Sequence, residues 1–109
     1  MSIPVALDDL ASTLADFGPG YLLTVSVREG VGPKAVSVRP RLADGVLHLA
    51  GPGRGSVANA SEYAAVTLLF PPVAEGGHSL IVDGTATADG EDLRVTPTSA
   101  ILHRPADHG

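Results

Sequence analysis

Two Asp-Gly dipeptides, Asp44-Gly45 and Asp89-Gly90, each stand between runs of alternating aliphatic residues. No other feature constrains the fold as much. A two-residue hairpin needs positive φ at its centre, which Asp and Gly supply, and the alternation on either side decides which face is buried. The first turn pairs Leu42 with Leu47 and sets Pro40 beside Leu49 on an aliphatic face. On the opposite face it pairs Arg41 with His48 and puts Arg39 beside Ala50. The second turn pairs Ala86 with Leu93 and Thr85 with Arg94.

The remaining strands read in the same way. Val25-Ser26-Val27-Arg28 and Val36-Ser37-Val38-Arg39 share one alternation, and a four-residue loop Glu29-Gly30-Val31-Gly32 would join them. Val25 then faces Val36 and Leu23 faces Val38, with Thr24 and Ser37 on the other side. Pro40 removes one ladder donor, so its strand is expected at an edge or a bulge. Ala65 to Phe70 is apolar on nearly both faces, which predicts a central strand or one covered by a second subunit. Pro71-Pro72 ends it, residues 73–78 form a loop, and Ser79 to Ala88, Leu93 to Pro97 and Ser99 to Pro105 complete the sheet. Ahead of these strands, Leu7, Leu10, Ala11, Leu14 and Phe17 recur at helical spacing. This predicts a helix over residues 3–17, with Pro4 in its first turn and Gly18-Pro19-Gly20 stopping it. The expected architecture is a single domain over residues 1–109. It is all-β with one or two short helices: a six-stranded antiparallel barrel over residues 20–105, plugged by the helix, with a frayed tail at 106–109.

Composition narrows the function. The chain has 109 residues, no Trp and only four aromatics, so its core must be built from Val, Leu, Ile and Ala. The net charge of −5 and the lack of a basic aromatic platform argue against nucleic-acid binding. With no cysteine, disulfides, thiolate metal sites and a Cys nucleophile are excluded. No signal peptide and no long apolar run is visible, so a cytoplasmic, membrane-free protein is expected. The four histidines show no close ligand pair, so no metal site is predicted. No general acid, base or nucleophile can be named, and the catalytic residues stay unknown. Any chemistry would fall to a bound cofactor.

One stretch stands out as a binding site. After Leu47-His48-Leu49 the chain enters the glycine-rich corner Ala50-Gly51-Pro52-Gly53-Arg54-Gly55, and a short helix or turn over Ser56 to Tyr63 follows. Such a corner frees backbone N–H groups beside a cation at a helix start, an arrangement that suits a phosphate. Five of the seven Lys and Arg (Arg28, Lys34, Arg39, Arg41, Arg54) lie between positions 28 and 54, against Glu29 and Asp44. Arg39 and Arg41 are two apart in a strand and project the same way. Helix capping explains Ser56 and Asn59 equally well, and each arginine alone could be a solvated strand-face charge.

The order of elements resembles the pyridoxamine 5′-phosphate oxidase-like proteins, the split-barrel flavin and deazaflavin binders. The features that carry it are the opening helix, the strand hairpin and the Gly/basic corner. A Ser…Asn segment before an aliphatic strand, Val82-Asp83-Gly84-Thr85-Ala86 and the closing run Val95 to Pro105 complete it. The resemblance implies a homodimer holding FMN, or a deazaflavin, in clefts between subunits, where it would serve an oxidoreductase acting on a small molecule. On the family pattern Arg39, Arg41, Arg54 and Ser56 would contact the cofactor phosphate, Gly55 would belong to the cofactor-binding segment and Asn59 would support the turn. Many relatives carry a lysine after the corner, whereas residues 55–63 here contain no basic residue. A non-catalytic flavin or phospholigand module, or a structural dimer with a degenerate site and no cofactor, fits the same residues.

Overall fold

The computed structural model describes residues 1–105. The tail at 106–109, with His108, lies outside the described residues. The strands are β1 (Ser2–Val5), β2 (Gly20–Thr24), β3 (Lys34–Val38), β4 (Arg41–Ala43), β5 (Val46–Leu49), β6 (Ala65–Phe70), β7 (Ser79–Asp89) and β8 (Asp92–His103). The helices are α1 (Leu10–Leu14), entered through a 3-10 turn at Leu7–Asp9, and α2 (Arg54–Glu62). All strands join one curled antiparallel sheet in the order β3-β2-β6-β7-β8-β5-β4, and β1 pairs with β8. No helix among the described residues is long and apolar enough to cross a membrane.

The sheet is thus eight-stranded where six strands were expected, for two reasons. The segment around Pro40 is broken into β3 and β4, because proline cannot donate to a ladder. The predicted helix over 3–17 is also a strand at its start. Ser2 to Val5 pair with His103 to Ala100, and the backbones of Met1 and Arg104 exchange two hydrogen bonds of 2.8 and 3.0 Å. Helical spacing begins only at Leu7, so the apolar residues before it were free to join the sheet. Pro4 is tolerated because β1 lies off the main sheet path and pairs only with β8.

The Asp44-Gly45 hairpin has the predicted register, with Leu42 opposite Leu47 and Arg41 opposite His48. Its central residues have φ of 52° and 76°, as a tight twisted turn requires. The other two hairpins differ. Leu22, not Val25, faces Val36, and residues 25–33 form the connection. The slip is odd, so the faces exchange: Leu22 and Thr24 are buried while Leu23 stands half-buried on the outside. A hydrogen bond explains the loss of ladder here, since the Val27 N–H donates to Asn59 Oδ1 on α2 at 3.1 Å. In the β7–β8 hairpin Thr87 faces Arg94 and Ala88 faces Leu93, so Gly90-Glu91 occupy the turn. That slip is even and leaves the faces unchanged.

The core fills the concave side of the sheet. Leu22, Leu47, Leu68, Leu80, Val82, Leu93 and Val95 are fully buried, and Leu10 of α1 covers one end. Leu14 and Phe17 pack against the same core, with the Phe17 and Phe70 rings tilted at 6.5 Å. Phe70 occupies the space a side chain at position 20 would need, since a Cβ on Gly20 would lie 2.6 Å from its ring. A bulge follows Asp83, where Thr98 drops out of the ladder and its hydroxyl donates to the Asp83 carbonyl at 3.1 Å. Gly84 beside it lets Val95 and the Thr96 carbonyl come within 2.6 and 2.7 Å of where a Cβ would be.

Candidate functional site

The corner after β5 is held by its glycines and by one carboxylate. Gly51 and Gly53 have φ of 52° and 105°, conformations that side chains disfavour. The Gly51 N–H donates to Asp92 Oδ1 at 2.8 Å, which ties the corner to the β7–β8 turn. Helix α2 then starts at Arg54 with Gly53 as its N-cap, without a capping side chain and without an acidic residue in its first turn. Its first N–H groups are therefore left for solvent or a ligand.

The charges at this helix start are of the wrong sign for the helix alone. Arg54 is the first residue of α2, and Lys34 at the start of β3 lies over the second. A Cβ on Gly55 would sit 3.1 Å from Lys34 Cε and 3.3 Å from Nζ. A helix N-terminus carries partial positive charge and favours anions, so two cations there oppose the dipole. Among the described residues, no side-chain hydrogen bond uses the guanidinium of Arg39, Arg41, Arg54 or Arg94 or the ammonium of Lys34. A dianionic phosphate would balance Lys34, Arg54 and the free N–H groups together. The donor set fits such a group.

Two hollows flank α2 and share Ala58. One, of about 460 Å³, lies between the corner and the β7–β8 turn and includes Gly53, Arg54, Val57 and Glu91. The other, of about 480 Å³, lies under the 25–33 loop and includes Val27, Arg28, Val31, Lys34 and Gly55. The sequence-predicted site residues are distributed among these surfaces. Arg54 and Gly55 stand at the helix start. Ser56 faces inward, is fully buried and has an Oγ without a hydrogen-bond partner, so it caps nothing. Asn59 is also buried and does not cap a helix. Its Oδ1 accepts from Val27 N–H and its Nδ2 donates to Thr24 Oγ1 at 3.0 Å, which pins the β2–β3 loop against α2. Arg39 and Arg41 line a third hollow of about 340 Å³, with His48 and Arg94.

Lys34 and Arg28 are the residues that reading the sequence missed. Both were counted in the basic cluster, but only the β2–β3 register and the long loop reveal that they face α2. Lys34, from β3, lies against Gly55 in the segment that has no basic residue of its own.

No family model matches the chain. Two uncharacterized mycobacterial proteins, Mb0449c of Mycobacterium bovis and MT0457 of Mycobacterium tuberculosis, are each 39% identical to it over 121 residues, covering 94% of this chain and 82% of theirs. Among solved structures, a FAD-binding protein of Mesorhizobium loti superposes with a TM-score of 0.65 at 15% identity, covering 94% of this chain and 96% of that one. A FAD-binding protein of Mycobacterium smegmatis gives 0.61 at 17% identity, with 95% and 100% covered. A candidate pyridoxamine 5′-phosphate oxidase of Corynebacterium glutamicum gives 0.62 at 12% identity, with 98% and 96% covered. The chain belongs to the family of the two mycobacterial proteins, and its fold is the pyridoxamine 5′-phosphate oxidase-like split barrel.

Proposed function

We propose that this protein is a flavin-binding split-barrel module that holds the cofactor phosphate at the start of α2. The observation that carries the reading is the pair of cations, Lys34 and Arg54, at an uncapped helix N-terminus. Lys34 and Arg54 neutralise the phosphate, while the N–H groups of the first turn of α2 donate to its oxygens. The largely apolar hollow between the corner and the β7–β8 turn, lined by Val57 and Glu91 among others, takes the rest of the molecule. FMN is the favoured cofactor and a deazaflavin the alternative. A bound flavin would supply hydride chemistry, and the chain's own part is to bind, orient and exclude water.

The solved neighbours named as FAD-binding support this reading. A homodimer belongs to it. On the convex face Tyr21, Leu69, Ile81 and Ile101 stand opposite one another across four strands, and all are partly exposed. A second copy seated on that row would cover it and form a cleft for the cofactor ring.

Titration of the purified protein with FMN, FAD and a deazaflavin tests the reading. Saturable FMN binding is expected, weakened by about 1.5–3 kcal/mol in Lys34→Ala and in Arg54→Ala. An unaltered melting temperature with every flavin would support the degenerate structural dimer instead. Tight binding without turnover by any reductant would support the non-catalytic module.

A further inference from the structure

A second cationic feature lies on another part of the sheet. Arg41 on β4 stands directly opposite His48 on β5, and His48 stands directly opposite Arg94 on β8. The three side chains form one cross-strand row on the convex face and line the hollow of about 340 Å³. Sheets ordinarily place opposite charges abreast, and like charges abreast are destabilising. Here two guanidinium groups flank an imidazole. Backbones two strands apart are separated by about 10 Å, a span that two arginine side chains can close over a group held at His48. Arg39 adds a third guanidinium to the lining, and Asp89 and Asp92 line the same hollow. Asp92 already accepts the Gly51 N–H, and it lies on the row next to Arg94, away from Arg41.

We propose that the Arg41–His48–Arg94 row is a second oxyanion site, separate from the α2 start, that takes the carboxylate or phosphate group of a small polyanionic molecule. Guanidinium forks match such oxygens two at a time, and His48 contributes a further donor between them. The hollow's modest volume and the chain's net charge of −5 favour a small ligand over a nucleic acid. That the ligand is the substrate of a bound flavin is an added step, which rests on the function proposed above.

The test is amide NMR titration of the whole protein with citrate and, separately, with inorganic pyrophosphate, at constant ionic strength. Saturable shifts at Arg41, His48 and Arg94 are expected with at least one of the two, and the responding anion distinguishes a carboxylate from a phosphate site. The affinity read from the Arg41, His48 and Arg94 shifts should fall about tenfold or more in Arg41→Gln and in Arg94→Gln, while Lys34→Gln alters only shifts at residues 53–56. All three substituted positions are exposed, and either arginine variant that folds suffices. Shifts confined to Lys34 and residues 53–56, a response to heparin but to neither small anion, or equal affinity in the arginine variants would overturn the proposal. FMN titration of the same arginine variants separates the two readings. Retained FMN binding with lost citrate or pyrophosphate binding isolates this site, whereas absent FMN binding in the unmodified protein counts only against the flavin.

Discussion

Gly55 and Lys34 form a contact in which one residue's lack of a side chain makes room for another's charge. Gly55→Ala should stabilise α2 by up to about 1 kcal/mol, because glycine is a poor helix former. The added methyl would meet Lys34 at 3.1 Å and push its ammonium off the helix start, so FMN affinity should fall as stability rises. Calorimetry and a cofactor titration on one preparation read both effects. Asn59 predicts the reverse coupling. Asn59→Ala leaves the Val27 N–H and the Thr24 hydroxyl without their partner, which should cost about 1–3 kcal/mol in urea denaturation. The freed 25–33 loop leads directly into Lys34, so cofactor binding should weaken in the same variant. Ser56 shows what the sequence could not reveal. A serine two residues into a helix looks like a cap or a ligand contact, and only the packing of α2 on the sheet turns it inward.

At the scale of elements, the legible features were local and the missed ones depended on distant partners. Asp44-Gly45 fixed its hairpin because two positive φ values in succession admit only one register. Asp89-Gly90 named the right hairpin and the right faces. The register moved by an even step because Gly90-Glu91, not Asp89-Gly90, fills the turn. The β2–β3 hairpin was displaced by Asn59, a residue 32 positions from Val27 in the chain, which no reading of adjacent residues could anticipate. Ile3 to Val5 likewise read as helix until their partner, almost a hundred residues away, was in place. The glycine corner and Arg54 were visible as an anion site, whereas Lys34 needed the tertiary fold to reach it. Gly84 beside the bulge gives the prediction proper to this scale. Gly84→Ala forces a Cβ to within 2.7 Å of the Thr96 carbonyl and 2.6 Å of Val95, neither of which can swing away. A loss of about 1–3 kcal/mol is expected, seen as a lower midpoint in chemical denaturation.

For the whole molecule, the convex row Tyr21–Leu69–Ile81–Ile101 decides between a monomer and the proposed pair of subunits. Ile81→Lys puts a charge at the middle of that row without touching the buried Leu80 and Val82 beside it. Sedimentation should show the unmodified protein as a dimer and the variant as a folded monomer with weakened cofactor binding. A monomer at every concentration before mutation would remove the second subunit from the proposed site.

Strand β8 pairs with β7 along its length, with β5 near its start and with β1 near its end. During synthesis β7 can pair with β6 and β5 with β4, but β1 has no partner and the two halves of the sheet stay unjoined until residues 92–103 emerge. A nascent chain up to Gly90 can make hairpins but cannot seal its interior, so closure waits for β8 and, being long-range, is slow. Until that last strand arrives, Leu47, Leu49 and Val82 remain wet, and cellular holding factors would meet the chain at that stage.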